Sequence, residues 1–449
     1  MRDADAIVVG AGAAGMMGAL AAANSGAEVL LLEKDLAGPS NLLVSGGLFP
    51  GAGTRWQRAA RLEDSGPAFA RDIRSKGGAS TNQTIVDAVA ARTADACHFL
   101  ADVAGIDVHL AAAISAPGHA VARLHATPAE SGRELHALMR AALAREKRIE
   151  VVDRVEITAI SFDGKFNVKT SSKDFRAPGV LLGTGGFAAN QALLREFIPE
   201  VAGAIHIGAG PNDGCAIAWG RALGAAVAQM DGYQGQGHVN PGKKTRLGMG
   251  LPLLGAFIVN RNGERFVRED VGPSELGALV LAQPGGVALE VFDQRIHDSA
   301  MRQGPYREAW AAGAIMTASS AEELAGIAGL PEGFSEVFEN FKNIASDGKD
   351  PLGRTRFGPA LQAPLYAAWV TGALAHTQGG LAVDARARVV RADGTVIEGL
   401  FAAGGAAAGL AGRGGEGYLP GNGLAQSFAL ALIAGEQMAS PRASLGGCA

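Results

Sequence analysis

Apolar positions come in short continuous runs that end in glycines, and helical periodicity fills the intervals between them. The first run, Ala6 to Val9, leads into Gly10-Ala11-Gly12-Ala13-Ala14-Gly15, and an Ala-rich segment reads as a helix to about Asn24. A second apolar run, Glu28 to Leu32, ends at Glu33. Residues 60 to 104 read as helical, with Ile85, Ala88, Val89 and Ala96 along one face, and Ser131 is placed to cap a helix to Glu146. Glu150 to Ile160, Lys165 to Ser171 and Phe175 to Leu182 alternate or run apolar, which predicts three strands; the third enters Gly183-Thr184-Gly185-Gly186. A turn and helix follow over Gly208 to Ala226. The style changes near Tyr233 and returns with Thr377-Gln378-Gly379-Gly380, Gly404-Gly405 and a last helix, Leu424 to Met438. The pattern predicts an α/β fold: residues 1–232 and 351–449 form one domain, a parallel sheet flanked by helices, and 233–350 form an inserted α+β cap domain.

The strand, Gly-x-Gly-x-x-Gly turn, helix and second strand ending in an acid carry chemistry together. Gly10 permits the tight turn, Gly12 admits a pyrophosphate to the backbone, and Gly15 lets helix and strand pack closely. The helix start offers unpaired N–H groups to phosphate. Glu33 suits a ribose with a free 2′-hydroxyl, which points to FAD or NAD.

Composition narrows this further. The chain has 449 residues, 48% hydrophobic and 19% charged, with a formal net charge of -4. Both signs are interspersed, so no basic stripe suggests nucleic acid and no polybasic segment suggests lipid. Cys97, Cys215 and Cys448 are scattered and make no metal pattern, and no apolar run is long enough to span a bilayer. The expectation is a soluble, cytoplasmic protein without a metal.

In order along most of its length, the chain resembles the fumarate reductase/succinate dehydrogenase flavoproteins, with L-aspartate oxidase and 3-ketosteroid Δ1-dehydrogenase as relatives. The resemblance rests on Val8 to Gly15, Ser45-Gly46-Gly47, Leu182 to Phe187, Asp213-Gly214, Val259 to Phe266, His376 to Gly380 and Gly399 to Gly404. It implies a Rossmann-like FAD-binding domain with a cap. Ala13, Ala14, Lys34, Ser40, Asn41, Ser45, Gly46, Gly47, Val155, Thr184, Gly185, Gly186, Asn190, Asp213, His376 and Gly404 would line the cofactor. The amides of Gly423 and Leu424 would face the flavin ring at a helix start, where the dipole favours negative charge. Ser40 falls where covalent members carry the flavin-linked histidine, which implies non-covalent FAD. Gly405 replaces a glutamate common in the family. Three dicarboxylate anchors are replaced together: a histidine by Ala375, an arginine by Tyr418, and the proton-donating arginine by Pro273.

Tyr418 before a Pro-Gly-x-Gly turn resembles the ketosteroid dehydrogenase arrangement, in which a tyrosine hydroxyl and a glycine amide, here Gly423, bind a substrate carbonyl. Two such donors stabilise the enolate-like charge that builds when a neighbouring C–H proton leaves. His238 and Tyr233 are the candidate bases. His119, Arg123, His125 and Arg413 are candidates for a substrate carboxylate, and Arg354 is expected in a structural ion pair. The expected activity is an FAD-dependent dehydrogenase that introduces a C=C bond beside the carbonyl of a small ketone or keto acid, passing electrons to an unidentified acceptor. Two alternatives stay open: a fumarate reductase-like reductase of an activated alkene, and a flavin-binding protein without this catalysis.

Overall fold

The computed structural model describes residues 2–114, 117–248 and 250–439. The chain divides into two compact units, Met1–Leu193 with Gly208–Tyr233 and His376–Ala449, and Leu194–Ile207 with Gln234–Ala375.

The first unit is built on a six-stranded sheet in the order Arg388–Val390, Val396–Ala402, Gly179–Leu182, Ala6–Val9, Val29–Leu32, Ile149–Val152. All neighbours are parallel except the first pair. Val8 lies level with Leu181 on one side and Leu31 on the other, and these strands are buried on both faces, as a covered parallel sheet requires. Helix Ala13–Asn24 packs against the C-terminal helix Asn422–Ala439 through small residues. A Cβ on Gly435 would stand 2.6 Å from the Gly18 carbonyl oxygen, so glycine is what permits this approach.

Two of the expected strands are each divided. Glu150–Ile160 splits into Ile149–Val152 and Ile157–Phe162, and Phe175–Leu182 splits at Pro178 into Phe175–Ala177 and Gly179–Leu182. Proline has no N–H for the ladder, and the two pieces serve different sheets. The helical stretch 60–104 is broken at Gly78, whose φ of 66° ends one helix before Asn82 caps the next.

The second unit surrounds a mixed sheet, Ile205–His206, Leu365–Thr377, Val287–Asp293, Phe257–Val259. Phe257 stacks on Phe341 at 4.5 Å within its core. The expected insertion of 233–350 is therefore too short, because residues 351–375 and 194–207 also belong here. Strand Leu365–Thr377 supplies the long partner of Val287–Asp293, yet the same strand carries on past Ala375 into the first unit. One apolar run serving both units offers no change of composition at the border. Arg354 is buried and pairs with Glu269 at 3.1 Å, while Arg265 bridges Glu269 and Asp350, so the expected structural ion pair is present. No described helix is long and apolar enough to cross a membrane.

Candidate functional site

At the end of strand Ala6–Val9, Gly10 adopts φ 94°, and a Cβ there would meet the Gly183 carbonyl oxygen at 2.8 Å. At Gly15 a Cβ would lie 1.6 Å from the Gly10 oxygen, whereas at Gly12 the nearest atom is 3.9 Å away. The first and third glycines are thus required by the turn, and the second leaves room beside it. Gly12 caps the helix without a side-chain bond, so the first N–H groups at Ala13 and Ala14 keep their capacity for an anion. Glu33 closes the next strand. Its carboxylate accepts from the amides of Ala11, Lys34 and Asp35, and its carbonyl accepts from Val155 at 2.9 Å. Val155 thereby fixes Glu33, while the Lys34 ammonium turns to Glu156 at 2.6 Å.

The second loop begins with Ser40, whose hydroxyl caps Asn41–Val44, and Asn41 accepts from the Ala209 amide at 2.7 Å. Ser45 accepts from the Gly47 amide at 3.1 Å. Gly46 has nothing within 4 Å of its Cβ position and is open, but Gly47 (φ 68°) abuts Ser131 and Gly132. A third loop follows Leu182. Thr184 leads into Gly185 (φ 81°) and Gly186, whose Cβ would fall 2.3 Å from the Thr377 hydroxyl. Asn190 donates to the Asp213 carbonyl at 2.8 Å, and the Asp213 carboxylate accepts from Cys215 N at 3.0 Å.

These loops converge on the C-terminal part of the same unit. Gly404 (φ 61°) has its Cβ position 3.0 Å from the Ala14 methyl, which joins the first glycine turn to the last. A Cβ on Gly405 would sit 2.6 Å from Gly186 N, so the glutamate common in the family has no room here.

The start of the C-terminal helix carries the polar chemistry. Gly421 (φ 89°) turns the chain, and the Leu424 amide is taken by the Gly421 carbonyl at 3.1 Å. The expected pair of free amides is reduced by that closed turn. Burial pushes the Tyr418 phenol up to about 12, opposed by the nearby backbone of Gly423 and Gly421. His376 meets Tyr418 edge to face at 5.6 Å, and its Nε2 lies 3.1 Å from the Cβ position of Gly423, with the Tyr418 hydroxyl at 3.7 Å. Burial lowers the His376 pKa, which favours neutral imidazole.

Beside them lie polar groups that the sequence reading did not single out. Asn422 is fully buried with neither side-chain Oδ1 nor Nδ2 hydrogen-bonded, and Gln426 Oε1 and Gln378 Oε1 are also buried without partners. Buried unpaired groups are costly, so this set fits a large polar ligand such as a flavin edge. Their i,i+4 spacing on an apolar helix was the available signal for Asn422 and Gln426.

The carboxylate-binding candidates are occupied otherwise. Arg123 is buried between Asp64 (2.9 Å) and Asp72, and His119 Nε2 donates to the Pro420 carbonyl at 2.8 Å. His125 is buried, with Nδ1 donating to the Arg123 carbonyl at 2.9 Å and Nε2 accepting from Thr54 at 2.9 Å. Arg413, 79% exposed in its side chain, faces Asp231 at 3.4 Å. Of the candidate bases, Tyr233 is a buried residue of the first unit. His238 belongs to the second, where its Nδ1 donates to Glu290 at 2.9 Å.

A family model described as FAD binding domain matches residues 5–424. The fumarate reductase (cytochrome) of Shewanella frigidimarina is 28% identical over 451 residues, covering 97% of this chain and 77% of that protein. The 3-oxosteroid 1-dehydrogenase of Mycolicibacterium smegmatis is 28% identical over 274 residues, or 50% of this chain and 46% of that one. Among solved structures, the open conformation of a flavocytochrome c3 fumarate reductase aligns with a TM-score of 0.82 at 25% identity, over 98% of this chain and 78% of that chain.

Proposed function

The chain belongs to the FAD binding domain family and is an FAD-dependent oxidoreductase acting on CH–CH groups, and on that premise we propose that it desaturates a small ketone or keto acid next to the carbonyl. The observation that carries this reading is the buried Tyr418 phenol, standing where fumarate-type members place an arginine, beside His376 and the start of the C-terminal helix. An arginine would hold a carboxylate by charge. A buried neutral phenol suits a carbonyl oxygen, and it gains most when that oxygen becomes negative.

In the proposed reaction Tyr418 donates its hydrogen bond to the substrate oxygen. The base that takes the proton of the neighbouring carbon is drawn from the expected candidates, His238 and Tyr233. Bound FAD supplies the acceptor for the hydride of the adjacent carbon, and an external acceptor reoxidises it. Gly10, Gly12, Ala13, Ala14, Gly15, Glu33, Gly46, Thr184, Asp213, Gly404 and Asn422 are the residues proposed to hold FAD. Ser40 has no nitrogen to bond it, and the reading is non-covalent.

A second reading, reduction of an activated alkene, is favoured by the fumarate reductase likeness running through nearly the whole chain while the steroid dehydrogenase likeness covers half. Anaerobic mixing decides between them. Loss of flavin absorbance on adding cyclic ketones supports desaturation; turnover of enones with reduced viologen and no bleaching by any ketone would replace it with the reductase.

A further inference from the structure

The loop before strand Leu124–Ala126 lies along the turn that follows Tyr418. A Cβ on Gly118 would stand 2.7 Å from Leu419 Cδ1, and one on Gly421 would stand 3.2 Å from Leu124 Cδ2. Between these contacts His119 Nε2 donates to the Pro420 carbonyl at 2.8 Å. The carbonyls on either side are used within the turn: Leu419 accepts from Asn422 N and Gly421 from Leu424 N, both at 3.1 Å. A carbonyl only accepts, so the proton of the neutral His119 ring resides on Nε2. Nδ1 then carries the lone pair, and it faces Arg123 Nη1 at 3.4 Å. Burial, with Arg123 adding to it, lowers the ring's pKa, which favours the neutral form. Arg123 is in turn fixed by Asp64 at 2.9 Å and by Asp72, whose carboxylate also accepts from the Ala120 amide at 2.8 Å. Phe69 stacks on the His119 ring at 5.9 Å and lies under the Arg123 guanidinium at 4.8 Å. All of these groups belong to the first unit.

We propose that His119 is the positioning residue of the Tyr418 turn: its bond to the Pro420 carbonyl, fixed by Arg123 and the two aspartates, sets where the Tyr418 phenol meets a substrate carbonyl. This rests on the desaturase reading above, and His119 acts through Tyr418 without touching substrate. Tyr418 and the start of helix Asn422–Ala439 lie on the two sides of Pro420, so a rotation of that one peptide moves both. A displacement of about 1 Å in such a donor can cost about 10²-fold in rate. Apolar side chains of equal volume could hold the loop with no loss of stability. They lack a directional bond to orient the carbonyl, and the buried chain of carboxylate, guanidinium and imidazole supplies one.

Two substitutions in the FAD-loaded enzyme separate this bond from packing. In His119→Gln the amide N–H reaches the place of Nε2. In His119→Asn the shorter amide stops at the place of Nδ1, beside Arg123, and leaves Pro420 without that donor. With a ketone that bleaches the parent flavin, the rate should stay within about threefold for His119→Gln and fall at least about tenfold for His119→Asn, FAD content unchanged. In a Tyr418→Phe background His119→Asn should cost no more than about twofold further, because the phenol it places is gone. Hydrogen exchange of residues 417–425, read by mass spectrometry, should be faster in His119→Asn and parental in His119→Gln. Bleaching by His119→Asn within about twofold of the parent overturns the proposal, as does an equal loss in both backgrounds, which marks a general structural role. Should His119→Asn not accumulate, His119→Gln decides: a near-parental rate supports the bond and a tenfold loss overturns it. A parent that no ketone bleaches removes the desaturase reading itself; unchanged exchange of 417–425 in His119→Asn removes the hold of His119 on the turn, whatever the reaction.

Discussion

Gly405 offers a test of the cradle through a substitution that family likeness alone would favour. Restoring the glutamate that many relatives carry should weaken this protein. A Cβ at 405 would stand 2.6 Å from Gly186 N and 2.9 Å from Gly185 C, both backbone atoms that cannot swing aside. Ordinary carbon contact begins near 3.5 Å, so the two loops must part by several tenths of an ångström. Overpacking of this kind costs about 1–3 kcal/mol. Strain that stays in the fold lowers the melting temperature. Strain relieved by parting the loops opens the cradle and raises the FAD dissociation constant, by about 5- to 150-fold if all of it appears there. Gly405→Ala carries the same Cβ and should show most of the loss; Gly405→Glu should be no better. The assay is FAD titration by flavin fluorescence quenching, paired with calorimetry of the FAD-free protein. An alanine variant within twofold in FAD affinity and unchanged in melting temperature would refute the packing argument, and a glutamate variant that binds FAD more tightly would refute it more sharply.

Other expectations follow from buried charge. Burial lowers the His125 pKa to about 4, against about 6.5 when unfolded. The unfolded chain therefore binds the extra proton between those values, and stability present above about pH 6.5 is lost as pH falls toward 4, at about 1.4 kcal/mol per unit. Denaturant titrations across that range should show the slope, and His125→Asn should flatten it. Arg354→Met leaves its buried partner Glu269 with Arg265 alone and should cost about 3 kcal/mol in chemical unfolding, whereas Arg413→Ala, at a surface position, should be neutral. Burial raises the thiols of Cys97 and Cys215, the latter to about 12, so thiol-reactive dye at pH 8 should label neither until the protein unfolds.

The first glycine turn was legible because local chemistry dictates it: Gly10 and Gly15 are demanded by contacts within a single strand–turn–helix unit. The convergence of Gly186, Thr377, Gly404 and Gly405 was legible only as a list of separate turns, since their closeness depends on which strands become neighbours. The split at Pro178 was written in the residue itself. The unit boundary at Ala375 was not, because strand Leu365–Thr377 keeps one apolar character across it. Tyr418 was found by its place in a motif, but the loss of a free Leu424 amide turned on the closed turn at Gly421, a backbone detail no side-chain pattern encodes. Glu290 escaped notice for a different reason. A single acid in an apolar strand has meaning only once its partner, His238 on another strand, is known.

The central claim is that the Tyr418 phenol hydrogen-bonds the substrate oxygen as charge develops there. Rapid anaerobic mixing of FAD-loaded Tyr418→Phe with a ketone that bleaches the parent flavin tests it most directly. The account predicts a bleaching rate lower by about 10²–10³, and by no less than about tenfold, with the FAD content of the parent. A variant that bleaches within twofold of the parent rate contradicts it.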